Sequence, residues 1–145
     1  MKAVVLSGGE GTRLRPLTST RPKPMMKVAG SPMLLHAVNL LKSHGLTDLH
    51  ITLHYMADSV KEYLTDGSPF GVKIAYSVEE YPLGTAGSVK KIQSELDGTF
   101  IVTSGDVLTD VDLSRIISFH KAKDATATIA VKSVENPLQF GIVLT

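Results

Sequence analysis

Short apolar runs at Lys2 to Ser7, Leu49 to Leu53, Val72 to Val78 and Phe100 to Thr103 alternate with stretches of helical period, and this alternation constrains the fold more than any other feature. The first run, KAVVLS, has the composition of a strand buried on both faces. Ser31-Pro32 predicts a helix start, with serine as N-cap and proline at the first helical position. Leu34, Leu35, Val38 and Leu41 then recur at three- and four-residue spacings, and Gly45 ends the helix. Further helices are predicted at Ala57 to Leu64, Gly87 to Leu96 and Leu113 to Ala122, with a turn at Asp66-Gly67-Ser68-Pro69. The threonines, valine and isoleucine of Ala125 to Val134 predict a last strand. Repeated βαβ units imply right-handed crossovers and a mainly parallel sheet with helices on both faces, a Rossmann-like three-layer α/β fold formed as one domain over residues 1–145. Ligands of such sheets bind beyond the carboxyl ends of the strands.

The stretch GGEGTRLRPLTSTRPKP, Gly8 to Pro24, stands directly behind the first apolar run and combines three glycines, four basic residues and three prolines with the single carboxylate of Glu10. Glycine permits close backbone approach to a ligand, and fixed cations hold phosphate. Charge is placed accordingly. Six basic side chains against Glu10 leave +5 in the first 27 residues and −4 in the remainder, for +1 overall. That asymmetry fits a small anionic ligand at the loop and gives no argument for nucleic acid. The absence of cysteine excludes disulfides, thiolate zinc sites and cysteine nucleophiles together. No apolar run approaches the roughly 18 residues of a membrane span, and the start MKAVVLSGG reaches glycine too soon for a signal peptide, so a cytoplasmic protein without a membrane partner is expected.

Two common phosphate motifs fail on this loop. A dinucleotide fingerprint begun at Gly9 and Gly11 would need its third glycine at Leu14, and a P-loop counted from Gly8 meets Arg13 and Leu14 where glycine and lysine belong. What remains is a glycine turn whose backbone amides can meet a nucleotide, followed by Arg13 and Lys23 as separated cations. The five histidines show no metal-ligand spacing, Met25 and Met26 read as core filler, and Asp112 reads as the N-cap of the helix that follows it. Taken alone, Gly84 and Gly87 read as a turn and a close helix contact, and Asp106 after Gly105 as a turn residue or cap.

Taken together, GGEGTRLRPLT and the following PKP resemble the signature of the sugar-1-phosphate nucleotidyltransferases, and EEYPLGTAGS (Glu79 to Ser88) and SGDVLTD (Ser104 to Asp110) agree with it, so the resemblance runs the length of the chain. PLGTAGSVK and ENPLQFGIV are most similar to the mannose-1-phosphate guanylyltransferase branch. The resemblance implies that Leu6, Gly8 and Gly9 lie against the nucleoside, and that Gly11 and Thr12 give close backbone contact to the triphosphate. It makes Arg13 and Lys23 the catalytic cations on the phosphates. Glu79 and Pro82 match positions lining the base, Gly84 and Thr85 close over it, and Asp106 matches a ligand of catalytic Mg2+.

The implied substrates are a nucleoside triphosphate, GTP by branch, and a sugar 1-phosphate. A phosphate oxygen of the sugar 1-phosphate attacks the α-phosphorus and pyrophosphate leaves, chemistry that rests on positioning and charge rather than on a covalent nucleophile. Family members carry a sugar-phosphate lysine and a second metal aspartate beyond the point matched by Thr145, so the resemblance implies the N-terminal nucleotide-binding part of such an enzyme, with the fold incomplete at the C-terminus and the chain alone inactive. The apolar edge Phe140 to Thr145 invites association with another chain, including a second copy. Two readings stay open: an enzyme or its fragment, and a noncatalytic nucleotide-binding or regulatory module.

Overall fold

The computed structural model describes residues 1–136, 141 and 143. The chain divides into two compact units, Met1–Val111 and Asp112–Thr145.

The first unit contains β1 (Lys2–Ser7), β2 (Lys27–Val28), β3 (Ser31–Pro32), α1 (Met33–Ser43), β4 (Asp48–Leu53), α2 (Ala57–Leu64), β5 (Lys73–Val78), α3 (Gly84–Lys91) and β6 (Ile101–Ser104), with short 3-10 turns between them. The main sheet has the order β5-β4-β1-β6 and every pairing in it is parallel. Strand β1 is central, and Ala3, Val4 and Val5 are fully buried, as its β-branched composition requires. In register Val4 lies beside His50 and Val5 beside Ile51, so these two pairs point to opposite faces. Leu34 of α1 and Val5 meet around Gly105 on one face, while Glu95, beyond α3, bonds His50 on the other. Both faces are therefore covered, which gives the three-layer α/β arrangement. Leu34, Val38 and Leu41 of α1 and Val60 and Leu64 of α2 complete the core with Leu49, Ile51 and Leu53.

Several boundaries differ from the sequence expectation. Helix α1 starts at Met33, with Pro32 as its N-cap, because Ser31 and Pro32 are taken up by an antiparallel two-residue ladder with Val28 and Lys27. Helix α3 starts at Gly84 and ends at Lys91, and Gln93–Glu95 forms a separate 3-10 turn where a continuous helix to Leu96 was expected. The turn after α2 is as expected: the Asp66 carboxylate accepts from the Ser68 amide at 3.0 Å and from its hydroxyl at 2.6 Å.

In the second unit, α4 (Leu113–Ala122) is capped by Asp112, whose carboxylate accepts the Arg115 amide at 3.0 Å. The strand expected over Ala125 to Val134 does not form: these residues take no regular structure and pair with no strand among the described residues. Ile129 and Val131 are 75% and 66% exposed. β-branched composition marks residues that fit a half-buried pleat, and it makes no strand where no ladder takes them up. The apolar run Phe140 to Thr145 lies, apart from Gly141 and Val143, outside the described residues. Among the described residues no helix is long and apolar enough to cross a membrane.

Candidate functional site

Because the four strands of the main sheet are parallel, their carboxyl ends share one rim. Leu6 and Ser7 end β1, His54 follows β4, Glu79 follows β5, and Ser104 ends β6 with Asp106 two residues on. The chain leaves β1 towards β4 and β5 and later returns to β6 on the other side of β1, so the rim beside β1 is a reversal of strand order, where open α/β sheets form ligand crevices. A cleft of about 760 Å³ lies there.

Every residue given a nucleotide, phosphate or metal role from the sequence lines this cleft. Leu6, Gly8 and Gly9 come from the end of β1 and the turn behind it. Gly11, Thr12 and Arg13 come from the 3-10 turn that follows, and Lys23 from a second one. Glu79, Pro82, Gly84 and Thr85 come from the segment joining β5 to α3, and Asp106 from the turn after β6.

The glycine loop is folded back on itself. Gly11 has φ +65, and a Cβ placed on it would stand 2.9 Å from the Lys23 Cβ, so the open backbone lets the two turns touch. The Thr18 hydroxyl, fully buried, donates to the Gly11 carbonyl at 2.9 Å, and the Tyr55 hydroxyl donates to the Thr18 carbonyl at 3.3 Å. Pro24 and Met25 are buried and anchor the second turn, which leaves the Lys23 side chain reaching the cleft. Its Nζ lies 2.6 Å from Asp106 Oδ2, a charge-assisted contact between two side chains that are each about a third exposed (31%).

Glu79 is held at three points. Its amide donates to the Leu53 carbonyl at 2.8 Å, its carbonyl accepts from His54 Nδ1 at 2.8 Å, and its Oε2 accepts the Leu83 amide at 3.2 Å, just ahead of α3. Its Oε1 is buried and has no partner among the described residues, and the same holds for the Ser7 hydroxyl oxygen. Two such orphaned acceptors at one cleft are groups a ligand donor can satisfy. Helix α3 opens into the cleft at Gly84 and Thr85 with no side-chain cap on its first amides.

Sequence reasoning missed His54, Ser7 and Gly105. The position of His54 directly behind an apolar run was the available signal, since that is where a parallel strand delivers a residue to the rim. Gly105 was given no role of its own from the sequence, yet a Cβ there would collide with the Ser7 hydroxyl and stand 2.8 Å from Leu34 Cδ1. Asp106 is therefore set by a tightly packed neighbour. Among the described residues no group of three His, Cys, Asp or Glu side chains could hold a metal ion by themselves. A lone carboxylate still fits a hard cation that takes its other ligands from phosphate oxygens and water.

Comparison with known proteins identifies the family. Residues 2–145 match the family model for nucleotidyl transferase. A UTP–glucose-1-phosphate uridylyltransferase of Synechocystis is 40% identical over 100% of this chain and 41% of its own length. A mannose-1-phosphate guanyltransferase of Candida albicans is 40% identical over 99% of this chain and again 41% of its own length. The chain thus spans about 41% of the length of these relatives. The crystal structure of HddC from Yersinia pseudotuberculosis complexed with GMP-PN superposes with a TM-score of 0.73 at 31% identity, covering 82% of this chain and 53% of that one. With the family model matched from Lys2 to the last residue, the chain belongs to the nucleotidyl transferase family.

Proposed function

We propose that the cleft binds a nucleoside triphosphate and serves the transfer of its nucleoside monophosphate to a sugar 1-phosphate, giving a nucleotide sugar and pyrophosphate. The observation that carries this is the meeting of the glycine turn, the Lys23 and Asp106 side chains and the buried Glu79 carboxylate at one reversal of strand order. Relatives named for uridylyl and guanylyl transfer to glucose 1-phosphate and mannose 1-phosphate support the same class of reaction. The cytoplasmic setting expected from the sequence goes with these substrates.

In this mechanism a phosphate oxygen of the sugar 1-phosphate attacks the α-phosphorus in line, a P–O bond forms, and the bond to the pyrophosphate oxygen breaks. The chain supplies position and charge. Gly11 and Thr12 bring backbone against the triphosphate, and Arg13 and Lys23 offset charge gathering on the phosphates. Asp106 would hold Mg2+, which when bound would supply further positive charge to the phosphates. Leu6, Gly8 and Gly9 pack on the nucleoside, while Pro82, Gly84 and Thr85 border the base.

The base is guanine in this reading, and Glu79 favours it. A carboxylate is acceptor-only when ionised, and guanine offers two neighbouring N–H groups on one edge. Mannose 1-phosphate is the matching acceptor by similarity to the guanyltransferases. Calorimetry of the 145-residue chain with GTP, UTP, dTTP and ATP in magnesium tests the nucleotide site directly; GTP should bind most tightly, and binding of none would overturn the proposal. Pyrophosphate release with mannose 1-phosphate and glucose 1-phosphate, measured on a full-length protein of this family carrying this segment, then separates transfer from binding without turnover.

A further inference from the structure

We infer that Lys23 and Asp106 form an exchangeable pair that makes triphosphate binding conditional on a divalent cation, with Asp106 holding the Lys23 ammonium until a cation takes its place on the carboxylate. The inference rests on the proposed function for the identity of the two ligands. The coupling itself rests on the contact of Lys23 Nζ with Asp106 Oδ2 at 2.6 Å. A phosphate on Lys23 and a cation on Asp106 would claim the same two groups that here bond each other, so one partner of each must be given up before the other is gained.

The surroundings confine that exchange to side chains. Lys23 cannot retreat as a unit, because its backbone belongs to a 3-10 turn anchored by the buried Pro24 and Met25, with its Cβ against Gly11. Asp106 cannot retreat either, because Gly105 before it is packed among Ser7, Leu34 and Val5 and its amide donates to the Leu6 carbonyl at 2.9 Å. What can move is the ammonium on its flexible four-carbon stem. The pair is about a third exposed on both sides, and ion pairs of that exposure are weak enough to be traded. Without a divalent cation, a triphosphate must compete with Asp106 for Lys23 and also faces the carboxylate charge. With the cation on Asp106, the carboxylate is neutralised and Lys23 is released to phosphate. Asp106 thus acts on Lys23 as a positioning residue, and removal of its charge should improve triphosphate binding when divalent cations are absent, whereas loss of a residue that is a metal ligand alone would leave metal-free binding unchanged.

Calorimetric affinity for GTP, in EDTA and in excess magnesium, tests this on the whole chain and on Asp106→Asn, Asp106→Ser, Lys23→Met and the double variant Asp106→Asn with Lys23→Met. Two Asp106 substitutions guard against one losing the fold, which near-ultraviolet circular dichroism checks. In EDTA both should bind GTP about threefold to tenfold more tightly than the parent, and in magnesium less tightly. On the Lys23→Met background the Asp106→Asn change relieves only the screened repulsion of the carboxylate and should tighten metal-free binding by no more than about twofold. An equal gain on that background assigns the effect to general repulsion by the carboxylate and overturns the exchange. Unchanged or weaker metal-free binding by both Asp106 variants overturns it as well, while the parent's magnesium-dependent binding leaves the proposed function standing. A parent chain that binds no GTP in either buffer removes that function, and the exchange with it.

Discussion

Arg13 and Lys23 both reach the cleft from 3-10 turns, and neither contributes its side chain to the core. Arg13→Ala and Lys23→Ala should therefore each weaken magnesium–GTP binding by about 1.5 to 3 kcal/mol, roughly tenfold to a hundredfold, with melting temperature unchanged. Calorimetry and a thermal melt on the same samples check both halves of that statement. Gly105→Ala should instead lower stability, since an added methyl meets Ser7 and Leu34 in a packed interior. A loss of about 1 to 3 kcal/mol in urea-induced unfolding is expected. The contrast explains what the sequence disclosed at this scale. Glycine and lysine of the loop are legible because their chemistry is local: an open backbone and a charge next to an apolar strand. Gly105 and His54 owe their parts to neighbours distant in the chain, Leu34 for one and Glu79 for the other, and no local pattern signals a partner that folding alone brings near.

At the scale of elements, periodicity carried the strands of the main sheet and the helices α1, α2 and α4, because each buries a face against the core or is capped in place. It failed where context decides. Gly84 has φ +70 and still begins α3, and Ala125 to Val134 has strand composition without a ladder. His50 is almost fully buried, and burial pushes its imidazole below the usual pKa, against the opposing pull of the Glu95 carboxylate 3.1 Å away. The folded state thus favours the neutral ring. That contribution is fully present above the unfolded pKa of about 6.5 and is lost as pH falls through the lowered folded value. Stability measured by urea unfolding should decline below about pH 6.5, and His50→Leu should flatten that part of the profile. An unchanged slope in the variant would assign the acid sensitivity to other groups.

Occupation of the proposed nucleotide site should raise stability, since a nucleotide held between the glycine loop, Glu79 and α3 would tie together segments far apart in sequence. At magnesium–GTP a hundred times above the dissociation constant, stabilisation of about 2.7 kcal/mol is expected. Hydrogen exchange should slow at 8–13 and 79–88, and protection absent from both segments would place the nucleotide elsewhere. The strand order has a consequence of another kind, for the chain as it leaves the ribosome. Ala3 in β1 pairs with Leu49 on one side and with Ile101 on the other. Within this sheet the strand synthesised first is therefore enclosed only once the strand synthesised last is in place, and the glycine loop behind it has no finished floor until β6 has been synthesised. Until then a strand whose centre is wholly buried in the native state presents an open apolar edge, the condition under which chains cohere with one another. Closure over such sequence separations is slow, so synthesis of this chain leaves an apolar strand edge open early and for long, and capture of β1 by a nascent-chain chaperone should fall off only once residue 104 has emerged.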